Sequence, residues 1–218
     1  MNILLHIPHD SLRVPKFFYK GLTISKEQFR KYNLLMSDLG VSYLTKDLKG
    51  KRIKAKYSRL FLDVERFKDD EKEIMAKYGE GAVYNNTYDG KIFHIHDNNY
   101  KNKVLKYYDR YHHKLDKAAK NLLKKDNDLL ILDIHSFSDK MADSFFDGNY
   151  PDICIGVEED YYNEEILNSL INKIESLNYS YKINYPYKGS LVPNCILNKK
   201  VKGNVVSIMI EINKRIYL

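Results

Sequence analysis

The sequence predicts an α/β fold, a three-layer arrangement in which a mixed or mostly parallel sheet is flanked by helices. Three observations carry that prediction. Short apolar runs bounded by breakers recur along the chain, and the clearest is Leu129-Leu130-Ile131-Leu132-Asp133-Ile134-His135-Ser136, which follows Asp126-Asn127-Asp128. A short continuous apolar run of this kind reads as a strand buried on both faces. Segments with helical spacing separate the runs, and strands alternating with helices are the pattern of an α/β sheet.

In order, residues 2–7 form a first strand, stopped by Pro8, and residues 10–23 are irregular, with Pro15 and Gly21. Ser25 opens a helix, with Gln28 three positions on as a capping box, and the helix restarts or continues through Tyr32 to Asp38. Gly40-Val41 leads into Tyr43-Leu44, a short helical or strand segment. Residues 53–57 alternate as a strand does, and 60–64 are a second apolar run closed by Glu65-Arg66. Residues 68–91 read as a long polar loop or lid, and 92–96 as a short strand or edge segment. The strongest helix is 100–125, where Val104, Tyr107, Tyr108, Tyr111, Leu115, Ala118, Ala119 and Leu122 recur at helical spacing. Strand 129–134 follows, then a loop over 137–150, a strand at 153–157 and an amphipathic helix at 164–177. Residues 179–184 alternate as a strand, Pro186 and Gly189 mark a turn, and 205–212 are the last strand.

The 218 residues suit a single domain, 1–218, with a substantial core. Thirty-six Lys plus Arg against 29 Asp plus Glu leave a net charge of +7. It is spread along the chain, which suits an anionic small substrate better than nucleic acid. Cys154 and Cys195 are far apart without CxxC spacing, so the expectation is a reducing cytoplasm. No run reaches the length of a membrane span, and residues 1–8 lack a signal-peptide pattern. Oligomeric state is not legible.

In open α/β sheets chemistry collects beyond the carboxyl ends of the strands. His135 ends a buried strand, the first strand runs into Pro8-His9-Asp10, and the last runs into Glu211. The expectation is that these three strand ends meet and build a metal site. Two imidazoles and a carboxylate make a common catalytic zinc site. The plainer alternative is that each His only caps a strand or bonds a backbone carbonyl. His94 and His96 are a rival pair, since residues i and i+2 of a strand share a face, with a sheet-edge pair preferred for them. Of the adjacent His112 and His113, at most one points inward. Glu211, between Ile210 and Ile212, reads either as a buried general base or as an edge residue facing solvent. Arg59 and Arg66 flank an apolar run, and read either as carboxylate clamps or as surface partners of Asp63 and Glu65. Walker A, GxGxxG, HExxH and GxSxG patterns are absent.

Several segments, in order, resemble the N-formylglutamate amidohydrolase family. They are His6-Ile7-Pro8-His9-Asp10-Ser11, Ser58-Arg59 through Asp63-Val64-Glu65-Arg66, Tyr108-Asp109-Arg110-Tyr111-His112-His113-Lys114-Leu115 and Asp133-Ile134-His135-Ser136. Pro151-Asp152-Ile153 with Gly156, Asn184 to Gly189, and Met209 to Asn213 with Tyr217 continue the likeness over nearly the whole chain. The resemblance implies a phosphorylase/hydrolase-like α/β fold, related to zinc carboxypeptidases and aspartoacylase-type deacylases. It implies hydrolysis of an amide on an N-acylated acidic amino acid. It also implies one zinc ion per chain held by His9 and His135 with an acidic residue, for which Asp38 is the candidate. Glu211 would be the general base, with Arg59 at the oxyanion. Arg66, Lys188 and His112 would bind the substrate. The chain departs from the family pattern in three places. Leu12 stands where a His-x-x-Glu pair would place Glu, Glu65 replaces Asn before Arg66, and Arg110 replaces Pro. The Glu65 change motivates a second reading, a non-catalytic protein of the same fold that binds an anionic metabolite or peptide.

Overall fold

The computed structural model describes residues 1–218. Its strands are β1 (Asn2–Ile7), β2 (Lys51–Lys54), β3 (Asp128–Phe137), β4 (Ile153–Val157), β5 (Tyr181–Ile183) and β6 (Asn204–Asn213). Its α-helices are α1 (Lys26–Met36), α2 (Val41–Leu44), α3 (Asn98–Lys125), α4 (Asp139–Ala142), α5 (Glu164–Ser176) and α6 (Asn194–Leu197). The six strands form one mixed sheet in the order β2-β1-β3-β6-β4-β5, flanked by helices, as the sequence predicts. The chain divides into two compact units, one of Met1–Ile7, Tyr43–Ile53 and Leu115–Leu218, the other of Pro8–Ser42 and Lys54–Lys114.

In the first unit, β3 runs parallel to both β1 and β6, and β4 runs antiparallel to β6. The burial of β3 explains its unbroken apolar sequence: Leu129, Leu130, Ile131 and Ile134 are all buried. Leu167 and Ile174 of α5 pack with Leu130, Ile153, Ile155 and Ile208, so the apolar stripe of that helix covers the sheet. The last turns of α3 are tied to β1 by Asn2, whose amide donates to the Leu122 carbonyl at 2.8 Å. They are tied to α6 by Asp116, which accepts from the Cys195 backbone N–H at 3.0 Å. Both cysteines are buried and unbridged.

The second unit contains α1 and the first turns of α3 but almost no strand pairing, and is organised by aromatic packing. Phe18 lies 4.9 Å from Phe29 and stacks on His94 at 4.7 Å, and Phe61 meets Tyr57 and Tyr107 edge-on. Helix α1 starts as its sequence indicates, with reciprocal bonds between Ser25 and Gln28. Two expected strands are different here. The stretch 53–57 belongs to a strand only as far as Lys54, since Ser58 bonds back to the Arg13 carbonyl. The stretch 92–96 makes only the isolated bridges Asn86↔Ile92 and Leu22↔His94. Its N–H groups turn to two partners, Phe93 to Asn85 and Ile95 to Gly21, so neither side extends into a ladder. The apolar run 60–64 is buried without joining the sheet, because Phe61 and Leu62 turn back to the Ser58 carbonyl.

Gly21 is where this packing leaves least room, because a Cβ there would run into the Ile95 carbonyl and the His94 ring. Gly21→Ala should therefore destabilise the protein by about 1–3 kcal/mol, the usual range for overpacking. Urea unfolding of the variant should show a lower midpoint with an unchanged slope.

Candidate active site

In the sheet-containing unit the register sets the chemistry. His6 of β1 pairs with Asp133 of β3, and His135 of β3 pairs with Glu211 of β6. All four side chains are buried. Asp133 Oδ1 accepts from His6 Nδ1 at 2.7 Å and from His135 Nε2 at 3.0 Å, and its Oδ2 accepts from the Leu191 backbone N–H at 2.9 Å. Burial alone would raise the Asp133 carboxyl, but the His135 and His6 charges and hydrogen bonds hold it well below the usual carboxylate range. An ionised carboxylate can only accept, so each ring puts an N–H toward it. For His135 this fixes the proton on Nε2 and makes Nδ1 the donor atom for a metal. Glu211 also lies opposite Cys154 of β4. Burial, with the Glu211 charge adding to it, pushes the Cys154 thiol up to about 12.

In the other unit the centre is Asp63, fully buried. Its carboxylate accepts from His9 Nε2 at 2.9 Å, from the Arg59 guanidinium at 2.8 Å and from the Tyr84 hydroxyl at 3.0 Å. The Glu65 backbone N–H is a fourth partner, at 3.0 Å. Burial pushes the Tyr84 phenol up to about 12, so it stays a donor to Asp63. His9 Nε2 also lies 3.5 Å from Glu65, and its Nδ1 lies 3.5 Å from Asp38. Burial and the Arg59 charge work against protonating His9, but Asp63 and Asp38 outweigh them and raise its pKa. Asp38 reaches this position because Asp10 holds the loop, accepting from the N–H groups of Gly40 and Ser42, while the Asp38 N–H bonds the His9 carbonyl. The segment 63–66 is gripped from α3: His112 Nε2 donates to the Val64 carbonyl at 2.7 Å, and the Tyr108 hydroxyl to the Arg66 carbonyl at 3.0 Å.

Each unit thus carries His and carboxylate groups of the kind that hold a metal ion, His9 beside Asp38 and Glu65 in one, and His6, Asp133 and His135 in the other. The donors fit a divalent cation. His9 is already a place where positive charge is balanced by carboxylates, and His135 is oriented by a carboxylate, the outer arrangement common to metal-ligating histidines.

The sequence model of the N-formylglutamate amidohydrolase family matches residues 1–218. The chain belongs to the N-formylglutamate amidohydrolase family. The family makes it a hydrolase of the amide-cleaving kind. The fold is similar to the crystal structure of an N-formylglutamate amidohydrolase from Ralstonia eutropha JMP134, with a TM-score of 0.81 and 18% identity, over 100% of this chain and 84% of that one. It is also similar to a gene product of Agrobacterium tumefaciens, with a TM-score of 0.69 and 16% identity, over 98% of this chain and 81% of that one. A search of curated proteins gives no match.

For this member of the N-formylglutamate amidohydrolase family, the residues singled out in the sequence fall as follows. His135 and Glu211 are neighbours, and Asp38 and His9 are neighbours. Arg59 is bound to Asp63, and Arg66 lies 3.9 Å from Asp63 and 3.6 Å from Glu73, so both guanidiniums have carboxylate partners within the protein. His112 bonds the Val64 backbone, His113 is exposed, and Lys188 is exposed. His94 Nε2 bonds the Phe18 carbonyl, and burial takes His96 down to about 4. Sequence reasoning did not single out Asp63, Asp133, His6, Asp10 or Tyr84 as site residues. The signal for Asp133 was available, since an Asp two positions before a His on a strand lies on the same face.

Asp63 gives a clear test. Its folded carboxyl titrates well below its unfolded value of about 3.9, so the stability it brings is fully present above that pH and is lost as pH falls through the folded value. Asp63→Asn should be less stable than the wild type by about 3–5 kcal/mol at pH 7, the range for breaking a buried charge pair. The gap should close as the pH is lowered from about 5 toward 2, measured by denaturant unfolding across that range.

Proposed function

We propose that the protein is a metal-dependent amidohydrolase that cleaves the N-acyl amide, formyl in the first instance, of an acidic amino acid such as N-formylglutamate, releasing formate and glutamate. The observation that carries this reading is the buried pairing of His135 with Glu211 on neighbouring strands of the sheet, a candidate ligand beside a candidate base. Zinc is the proposed ion, one per chain. His9 and His135 would hold it with a carboxylate from Asp38 or Glu65. In this reading the two units act as one hydrolase domain. A zinc ion bound there would lower the pKa of a water molecule and polarise the scissile carbonyl.

The protein's own residues then have distinct tasks. Glu211 takes a proton from the attacking water and delivers it to the leaving amine, which must depart as the neutral amine. Asp133 keeps the Nε2 proton on His135 and so holds its ring in the ligating orientation. Arg59 is the candidate donor to the oxygen that gains charge in the tetrahedral intermediate. Arg66, with Lys188, would meet the acid groups of the substrate, and His112 would act on it through the segment it positions. The two buried, unbridged cysteines suit a cytoplasmic location.

Glu211→Gln should lower turnover of N-formylglutamate by about 10²–10⁴-fold, the range for a lost general base, while zinc content stays near one per chain. His135→Ala should lose both zinc and activity. Metal analysis of the purified variants alongside the formate-release assay checks this. Unchanged turnover in Glu211→Gln would refute the base assignment. Zinc retained in His135→Ala would refute the ligand assignment.

A further inference from the structure

A cavity of about 250 Å³ lies in the unit that contains Asp63, and none of the charged groups of the candidate active site lines it. Its floor is apolar, with Ala55, Leu62 and Val64 all buried. Two tyrosine rings, Tyr57 and Tyr107, wall it and meet edge-on at 5.5 Å. Its charged lining is cationic throughout: Lys54, Lys56, Arg110 and Lys114, with no carboxylate among the lining residues. Lys54 is already engaged, 3.2 Å from Asp10 and 2.8 Å from the Ser42 hydroxyl. The other three form no ion pair. Lys56 and Arg110 instead lie over the faces of Tyr57 and Tyr107, at 5.2 and 5.0 Å.

This chemistry defines a ligand. Uncompensated cations at the rim call for an anion. An apolar floor beside a pair of aromatic rings calls for a flat ring, which would gain burial and aromatic contacts. The size limits the ligand further. A cavity of roughly 150 Å³ accommodates a benzene ring, so 250 Å³ takes one ring with an acid group and not a whole nucleotide. We propose that this cavity is a binding site for a monocyclic aromatic anion, its ring on the apolar floor against the paired rings of Tyr57 and Tyr107 and its acid group toward Lys56, Arg110 and Lys114. Leu62 and Val64 line this site while the alternate residues Asp63 and Glu65 face His9, so the two sites share one segment without sharing side chains.

The probes are 4-hydroxyphenylacetate and phenyl phosphate, titrated by calorimetry and by tyrosine fluorescence against the full-length protein. Neutral 4-hydroxyphenylacetamide and ring-free acetate and inorganic phosphate are the controls. Saturable binding of at least one aromatic anion, at least tenfold tighter than every control, is expected. Arg110→Glu with Lys114→Glu reverses two exposed charges on α3 and should weaken that binding at least tenfold, with zinc content and thermal unfolding unchanged. Tyr107→Ala should weaken aromatic anions and leave phosphate as it was. Failure of both aromatic anions to bind overturns the proposal. So does equal binding of acetate or phosphate, which would mark a plain electrostatic patch, or binding that survives the double charge reversal. None of these readouts uses amide hydrolysis, so they stand apart from the fate of the proposed activity.

Discussion

A buried carboxylate that accepts hydrogen bonds from four residues holds the second unit together. Asp63 lies among His9, Arg59, Tyr84 and the Glu65 backbone, and it is the point at which segments from 9, 59–66 and 84 meet. A buried charge with this many donors is tolerated because each lone pair is satisfied, and removing any donor would leave a desolvated charge behind. The unit has almost no ladder of backbone hydrogen bonds to fix these segments, so the polar centre and the aromatic packing around Phe18 do that work instead.

The sheet-containing unit repeats the device with a different scaffold. Asp133 accepts from two imidazoles and a backbone N–H, but its neighbours are supplied by parallel strands in register. In both units a buried carboxylate decides which nitrogen of a histidine carries its proton. That is the requirement a metal ligand has of its surroundings, and it is met for His135 by Asp133 and for His9 by Asp63.

The parts of the fold legible in the sequence are those where burial has a period. β1, β3 and β6 announce themselves as apolar runs between breakers, and α3 and α5 as stripes at helical spacing. The stretch 92–96 misled because its alternation is real while its hydrogen bonds are divided between two different partners. His135 and Glu211 were legible because each interrupts an apolar strand, where a polar side chain needs a reason. Asp63 and Tyr84 were not, since a buried ion pair between positions 59 and 63 looks in sequence like any surface pair. Asp38 was legible only through resemblance, because what brings it to His9 is the grip of Asp10 on a loop thirty residues away.

Tyr108 and His112 hold the 63–66 segment by its main-chain carbonyls, not by its side chains. Every residue has the same carbonyl, so this clamp is indifferent to which amino acids stand at 64 to 66. Mutational drift can thus rewrite the lettering of that stretch while its path through space is kept. A lineage could try acidic, amide or neutral side chains beside Arg66 without first having to reinvent the loop that presents them.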